Sequence, residues 1–286
     1  MSSKTIEQLA ERYPSLYVAP ADTAEEAYGA AARRGIPPME RDLSHFVGTD
    51  EDWLHEEQTP AGPVDVVFLK CREDFENFLR CTVHRCRPNP IPATIGAMTI
   101  DGLADWSRIR AHHEEYIAAG GADWPSEFKR FVADRKNFCQ TIVIISEGPY
   151  SDLSPDVAGY GEVEWLRTSR DIRLYHELTH VMCRRLMPND VLPIWDEITA
   201  DLNGLLRATG AYDPLLALRF LGIENGRYVH GRLEEYLDER DKTRIDQIAH
   251  EVSDVCEDIA DLAQDIGPDD SYDLVLKLKR EPLLRY

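Results

Sequence analysis

With 286 residues and a 43% hydrophobic fraction, the chain can bury one large core or two lobes, which excludes a disordered protein. A net charge of −20 argues against nucleic acid or an anionic membrane surface as partner and leaves a basic or neutral substrate easier to accommodate, although acidity also serves solubility. Met1–Glu7 has no apolar run of the signal-peptide kind, no stretch approaches the ~18 apolar residues of a membrane span, and six scattered cysteines suggest reduced thiols, so a cytoplasmic location is expected.

Residues 1–63 read as short helices punctuated by Pro and Gly: Thr5–Arg12, Thr23–Arg34 and a segment near Asp50–Glu56. This region is expected to be a helical cap or lid, with 64–187 a sheet-containing lobe and 188–286 a helical one. Pro63–Leu69 is a strand candidate and Arg72–His84 a helix. Within that helix Cys81, His84 and Cys86 do not make a metal set, because the two thiols fall on divergent faces. Ala93–Ile100 reads as a second strand, and His112 with His113 open a helix on which adjacent rings point about 100° apart. A further helix runs from Trp124 to Asn137. Thr141–Ile145 is a continuous apolar run, as in a central buried strand. Ala158–Trp165 alternates and carries glycines, the pattern of an exposed edge strand with room for close backbone approach.

Next comes His176-Glu177-Leu178-Thr179-His180. Residues four apart on a helix lie one above the other, so both imidazoles can converge on one divalent zinc ion, with Glu177 beside the first, able to reach a water there. The flanks support a helix: Thr168 or Ser169 to cap its start, Ile172, Tyr175, Leu178, Val181 and Met182 as an apolar stripe, and Pro188 as a stop. Pro193 then opens a second helix, reaching about Arg207 before Gly210. Across a turn at Pro188–Leu192 the two helices should run antiparallel. The first descends roughly 10 Å from His180 and the second climbs about 6 Å to Glu197, which leaves Glu197 at the level of the His pair. Two His and one Glu make three ligands with a fourth position open to water, the mark of a catalytic rather than a structural zinc. Asp201, one turn on, can accept the free ring N–H of a ligand His. Asp196 competes as third ligand but points about 100° away from Glu197.

His176-Glu177-x-x-His180 followed by Glu197-x-x-x-Asp201 resembles the gluzincin, thermolysin-like branch of the zincin metallopeptidases over about thirty residues; His₂Glu is the thermolysin ligand set. The resemblance implies that His176, His180 and Glu197 are metal ligands, Glu177 the general base and Asp201 a support for a His. It further implies that the strand ahead of the active-site helix, here Gly159-Tyr160-Gly161, binds substrate backbone by β-augmentation. The spacer before Glu197 is somewhat shorter than in thermolysin itself.

Downstream, Pro214–Leu221 reads as a short apolar helix. Gly226–Arg232 offers Tyr228 and His230 as donors for the oxyanion that develops on an attacked carbonyl. Ile245–Ile266 carries Ile245, Ile248, Val252, Val255, Ile259, Leu262 and Ile266 at three-to-four spacing, a stripe for core packing or a homodimer seam. Tyr272–Lys279 ends the chain as a strand or short helix. The expected fold is α+β and zincin-like: a small mixed sheet and the active-site helix in one lobe, helices in the other, zinc in the groove between. The expected function is zinc-dependent hydrolysis of peptide bonds, with a peptide or protein substrate. An inactive zinc-binding module, a small-amide hydrolase and a metal-free helical interaction protein are the competing readings.

Overall fold

The computed structural model describes residues 3–188 and 193–284. They form a mixed α+β protein whose chain divides into two compact units, 1–57 with 64–146, and 58–63 with 147–286.

The first unit is built on a four-stranded sheet in the order β1-β2-β4-β3, from β1 (Trp53–Thr59), β2 (Gly62–Leu69), β3 (Ala97–Ala104) and β4 (Cys139–Ser146). The apolar run in β4 is central, as its composition demands: Ile142 to Ile145 are fully buried. β4 pairs in parallel with β2, Val66 against Val143, and antiparallel with β3, Thr99 against Val143, with a bulge between Ile100 and Leu103. Helices α1 (Lys4–Arg12), α2 (Glu25–Arg34), α3 (Arg72–Thr82), α4 (Trp106–Ala118) and α5 (Trp124–Phe131) complete the unit. Val67 and Leu69 of β2 and Ile142 and Ile144 of β4 share a core with Ile6 and Leu9 of α1 and Phe75 and Phe78 of α3. Cys81 and Cys86 are buried thiols in this core, and all six cysteines are free.

Two readings of the first third are corrected. Asp50–Glu56 is not helical: residues from Trp53 onward form β1, whose polar run Leu54-His55-Glu56-Glu57 lies at the sheet margin, where a strand can face water on both sides. Residues 1–57 also do not stand apart as a cap, because α1 and α3 share one buried core with β2 and β4.

The second unit is helical: α6 (Pro155–Ala158), α7 (Glu162–Leu186), α8 (Pro193–Thr209), α9 (Pro214–Leu221), a two-residue hairpin pair β5 (Ile223–Glu224) and β6 (Arg227–Tyr228), α10 (Ile245–Ala263) and α11 (Ser271–Arg280). α7 belongs here and not with the sheet, so the boundary expected at 187/188 falls instead after Ser146. From its stripe, Met182 shares a core with Ile194, Trp195, Ile198, Leu202 and Leu206 of α8, Ile248, Val252 and Ile259 of α10 and Val275 and Leu278 of α11, and Ile172 clusters with Leu205 of α8. Most of the α10 stripe therefore faces this unit's own interior; Leu262 is the member left exposed. The tail is helical because Tyr272, Leu274, Val275 and Leu278 recur at three-to-four spacing and are buried. Among the described residues no helix is long and apolar enough to cross a membrane.

Candidate metal centre

α7 and α8 run antiparallel, so residues pair in reverse order: Ile172 with Gly204, His176 with Asp201, His180 with Glu197. The turn foreseen between them lies, from residue 189 onward, outside the described residues. Close approach is possible because Gly204 has no side chain; a Cβ there would stand 2.9 Å from the Ile172 carbonyl oxygen. Polar groups lock the register. Thr179 Oγ1 donates to the Tyr175 carbonyl at 2.7 Å, and Asn203 Nδ2 donates to Thr179 Oγ1 at 2.7 Å and to the Tyr175 carbonyl at 3.2 Å. A buried amide N–H₂ and a hydroxyl bonded across the helix pair resist sliding, since a shift of one residue would orphan these donors.

At this register His176 Nε2 and His180 Nε2 lie 3.0 Å apart, His180 Nε2 lies 3.4 Å from Glu197 Oε1, and His176 Nε2 lies 3.5 Å from Glu197 Oε2. Each Glu197 oxygen thus faces a different imidazole, and one donor atom from each of the three residues lies within 4.8 Å of the others, a spread and a donor chemistry that suit an ion with ligand distances of about 2.0–2.1 Å. Among the described residues, His176, His180 and Glu197 are the one group of three such side chains gathered closely enough to hold an ion.

Behind His176 sits Asp201, buried, with Oδ1 2.8 Å from Nδ1. A carboxylate only accepts, so the neutral ring keeps its proton on Nδ1 and turns the Nε2 lone pair toward His180 and Glu197. Burial disfavours the charged imidazole, yet Asp201 and then Glu197 outweigh it and raise the His176 pKa above its ordinary value. Burial likewise works against the Asp201 carboxylate, but Arg232, His176 and Tyr150 hold its pKa low. Glu197 follows the same pattern, its burial outweighed by His180, His176 and Arg232.

Three further side chains complete the centre, and sequence reasoning did not single out any of them. Tyr150, buried in the loop before α6, donates its hydroxyl to Asp201 Oδ1 at 2.6 Å and stands 2.9 Å from His176 Nδ1. That loop is held down by α7: Tyr150 N–H donates to Ser169 Oγ at 2.9 Å, and Arg173 donates to the carbonyls of Gly148 and Pro149. Arg232 places Nη2 2.7 Å from Asp201 Oδ2 and Nη1 3.7 Å from Glu197 Oε2. Tyr236 is half-buried, and its pKa is raised first by burial and also by the nearby Glu197 carboxylate.

Several expected site residues lie elsewhere or do other work. Gly159-Tyr160-Gly161 is not an edge strand: Gly159, at φ 82°, ends α6, and Gly161 is the N-cap of α7. Two helix-terminal glycines flanking a tyrosine had imitated strand alternation. Thr168 and Ser169 do not cap α7, which begins at Glu162; both are buried in its interior. Tyr228 exchanges hydrogen bonds between its hydroxyl and the Gly231 backbone, and His230 is exposed, so the segment reaches the centre through Arg232 instead. Asp196 is paired with the buried ammonium of Lys279, which accounts for its absence from the ligand set. Glu177 follows His176 on α7 and is half-buried.

Residues 7–273 match the model of DUF7005, a family of unknown function. The chain belongs to this family. No curated protein and no solved structure matches it.

Proposed function

We propose that the chain is a zinc-dependent hydrolase cleaving peptide bonds, with a gluzincin-like centre set wholly on the helical unit. The observation that carries this reading is the His176–His180–Glu197 group, its two Nε2 atoms 3.0 Å apart with a Glu197 oxygen 3.4 to 3.5 Å from each, backed by an Asp201 that fixes the His176 tautomer. A bound zinc ion supplies Lewis acidity, polarising a carbonyl and lowering the pKa of a water at its open position toward about 7. Glu177, adjacent in sequence to a ligand and not engaged as one, takes the proton of the attacking water and returns it to the leaving nitrogen. Asp201 and Tyr150 prevent the His176 ring from turning. Tyr236, half-buried and protonated beside the Glu197 carboxylate, assumes the oxyanion-donor role expected of Tyr228 and His230.

The test combines metal analysis with turnover. Purified protein should carry about one zinc per chain, as a three-ligand catalytic site requires. Peptide hydrolysis should stop with a chelator and return with zinc. Glu177→Gln should retain the metal while turnover falls by about 10²-fold or more. Glu197→Gln should lose both. Full metal loading of wild type with no peptide or amide hydrolysis would leave a binding module in place of an enzyme.

A further inference from the structure

Glu197 and Asp201 stand one turn apart on α8 with side chains only 15% and 2% exposed. Two carboxylates so placed repel each other and have lost most of their hydration, a costly arrangement unless a cation answers it. The fixed cation that meets both is Arg232. Besides its contacts to Asp201 and Glu197, its Nε donates to the Phe220 carbonyl at 3.2 Å, its Nη1 donates to the Tyr150 hydroxyl at 3.4 Å, and its guanidinium lies 5.1 Å from the Tyr150 ring centroid. The group is thus held in place, and a guanidinium does not lose its charge at any ordinary pH.

The same charge has a second effect. A divalent ion bound through Glu197 would find a like charge one hydrogen-bond shell away, in surroundings largely cleared of screening water. We propose that Arg232 is the built-in counter-cation of this centre: it keeps Glu197 and Asp201 together in the metal-free protein and, by repelling the incoming ion, weakens metal binding and keeps the metal exchangeable. The inference rests on the zinc reading above. It also differs in sign from a simple positioning role. Removing a residue that merely orients ligands typically weakens metal binding by about 10- to 100-fold. Removing a repelling charge tightens it. Asp201 does not depend on Arg232 alone for its orientation, because Tyr150 at 2.6 Å and His176 at 2.8 Å also hold it, so the charge effect dominates.

The experiment uses the full chain as wild type, Arg232→Gln and Arg232→Lys, each stripped with a chelator. Zinc affinity is read by competition with a chromophoric chelator, and thermal unfolding is followed with and without zinc. Arg232→Gln should bind zinc at least about tenfold more tightly than wild type. Its metal-free form should melt below metal-free wild type, with the gap narrowing once zinc is added. Arg232→Lys keeps the charge and should stay within about threefold of wild type, a difference well under 1 kcal/mol. Equal or weaker zinc binding by Arg232→Gln overturns the proposal, and so does a tenfold loss in a folded Arg232→Lys, which would assign the role to the fork geometry. Wild type that takes up no zinc at all is a separate result: it removes the hydrolase reading, and this inference with it.

Discussion

The atom on which the centre turns is Nδ1 of His176, because whatever holds the proton there decides whether Nε2 can bind a metal. Asp201 and the Tyr150 hydroxyl both meet it, at 2.8 and 2.9 Å. Tyr150→Phe keeps the ring against Phe220 and removes only the hydroxyl. Zinc affinity should fall about tenfold, with the fold unchanged by circular dichroism; an unaltered affinity would mean that Asp201 suffices. Protonation gives a second expectation. In the metal-free protein the Glu197 and Asp201 carboxyls sit below their ordinary values and the His176 imidazole above its own. The carboxylate contribution to stability is complete above about pH 4.3 and is lost as pH falls; the imidazole contribution is complete below about pH 6.5 and is lost as pH rises through the raised pKa. Urea denaturation of chelator-treated protein should therefore show greatest stability between about pH 5 and 6.5. Zinc requires unprotonated imidazoles, so loading should move that maximum to higher pH. The gathering of His176, His180, Glu197 and Asp201 was legible in the sequence because helical period four fixes which side chains share a face. Tyr150, Arg232 and Tyr236 were not, since each arrives on a loop or a 3₁₀ turn whose path no periodicity encodes.

Among the elements, the α7–α8 pair carries the most risk, for its separation depends on one missing side chain. Gly204→Ala places a methyl 2.9 Å from the Ile172 carbonyl oxygen and 3.1 Å from Ile172 Cγ2, inside contact distance of backbone that cannot swing away. Alanine favours the helix by about 1 kcal/mol over glycine, but overpacking at a buried helix contact costs about 1–3 kcal/mol, so the variant should be less stable by calorimetry. Because the shift opens the gap between His180 and Glu197, its zinc affinity should fall as well; an Ala variant with wild-type stability and affinity would show that the helices can separate freely. Long amphipathic elements such as α8, α10 and the β4 run declared themselves through composition. The two misread stretches lie at element margins: Trp53–Thr59 is a sheet-edge strand with a polar centre, and Gly159 and Gly161 are helix-terminal residues, so their pattern reports solvent and caps rather than backbone state.

For the whole molecule, the division into two units makes a spatial statement about any metal effect. Every residue of the centre lies within 147–286. Zinc should thus slow amide hydrogen exchange in α7, α8 and the loop around Tyr150 while leaving β2 and β4 unchanged, and protection appearing first in the sheet would contradict a helix-borne site. The α+β class could be read from the alternation of apolar runs and helical stripes. The grouping of α7 with the later helices could not, because segments that bury an apolar stripe do not name the partner that covers it. The pairing of Lys279 with Asp196 ties the candidate centre to a distant helix. Lys279 is almost wholly enclosed and comes from α11, the last helix described. Its ammonium occupies the carboxylate next in sequence to Glu197, so losing it would leave a bare acid beside the one that faces both imidazoles. Lys279→Met should therefore disturb zinc binding by titration with a chromophoric chelator, although the substituted residue stands 83 positions along the chain from Asp196.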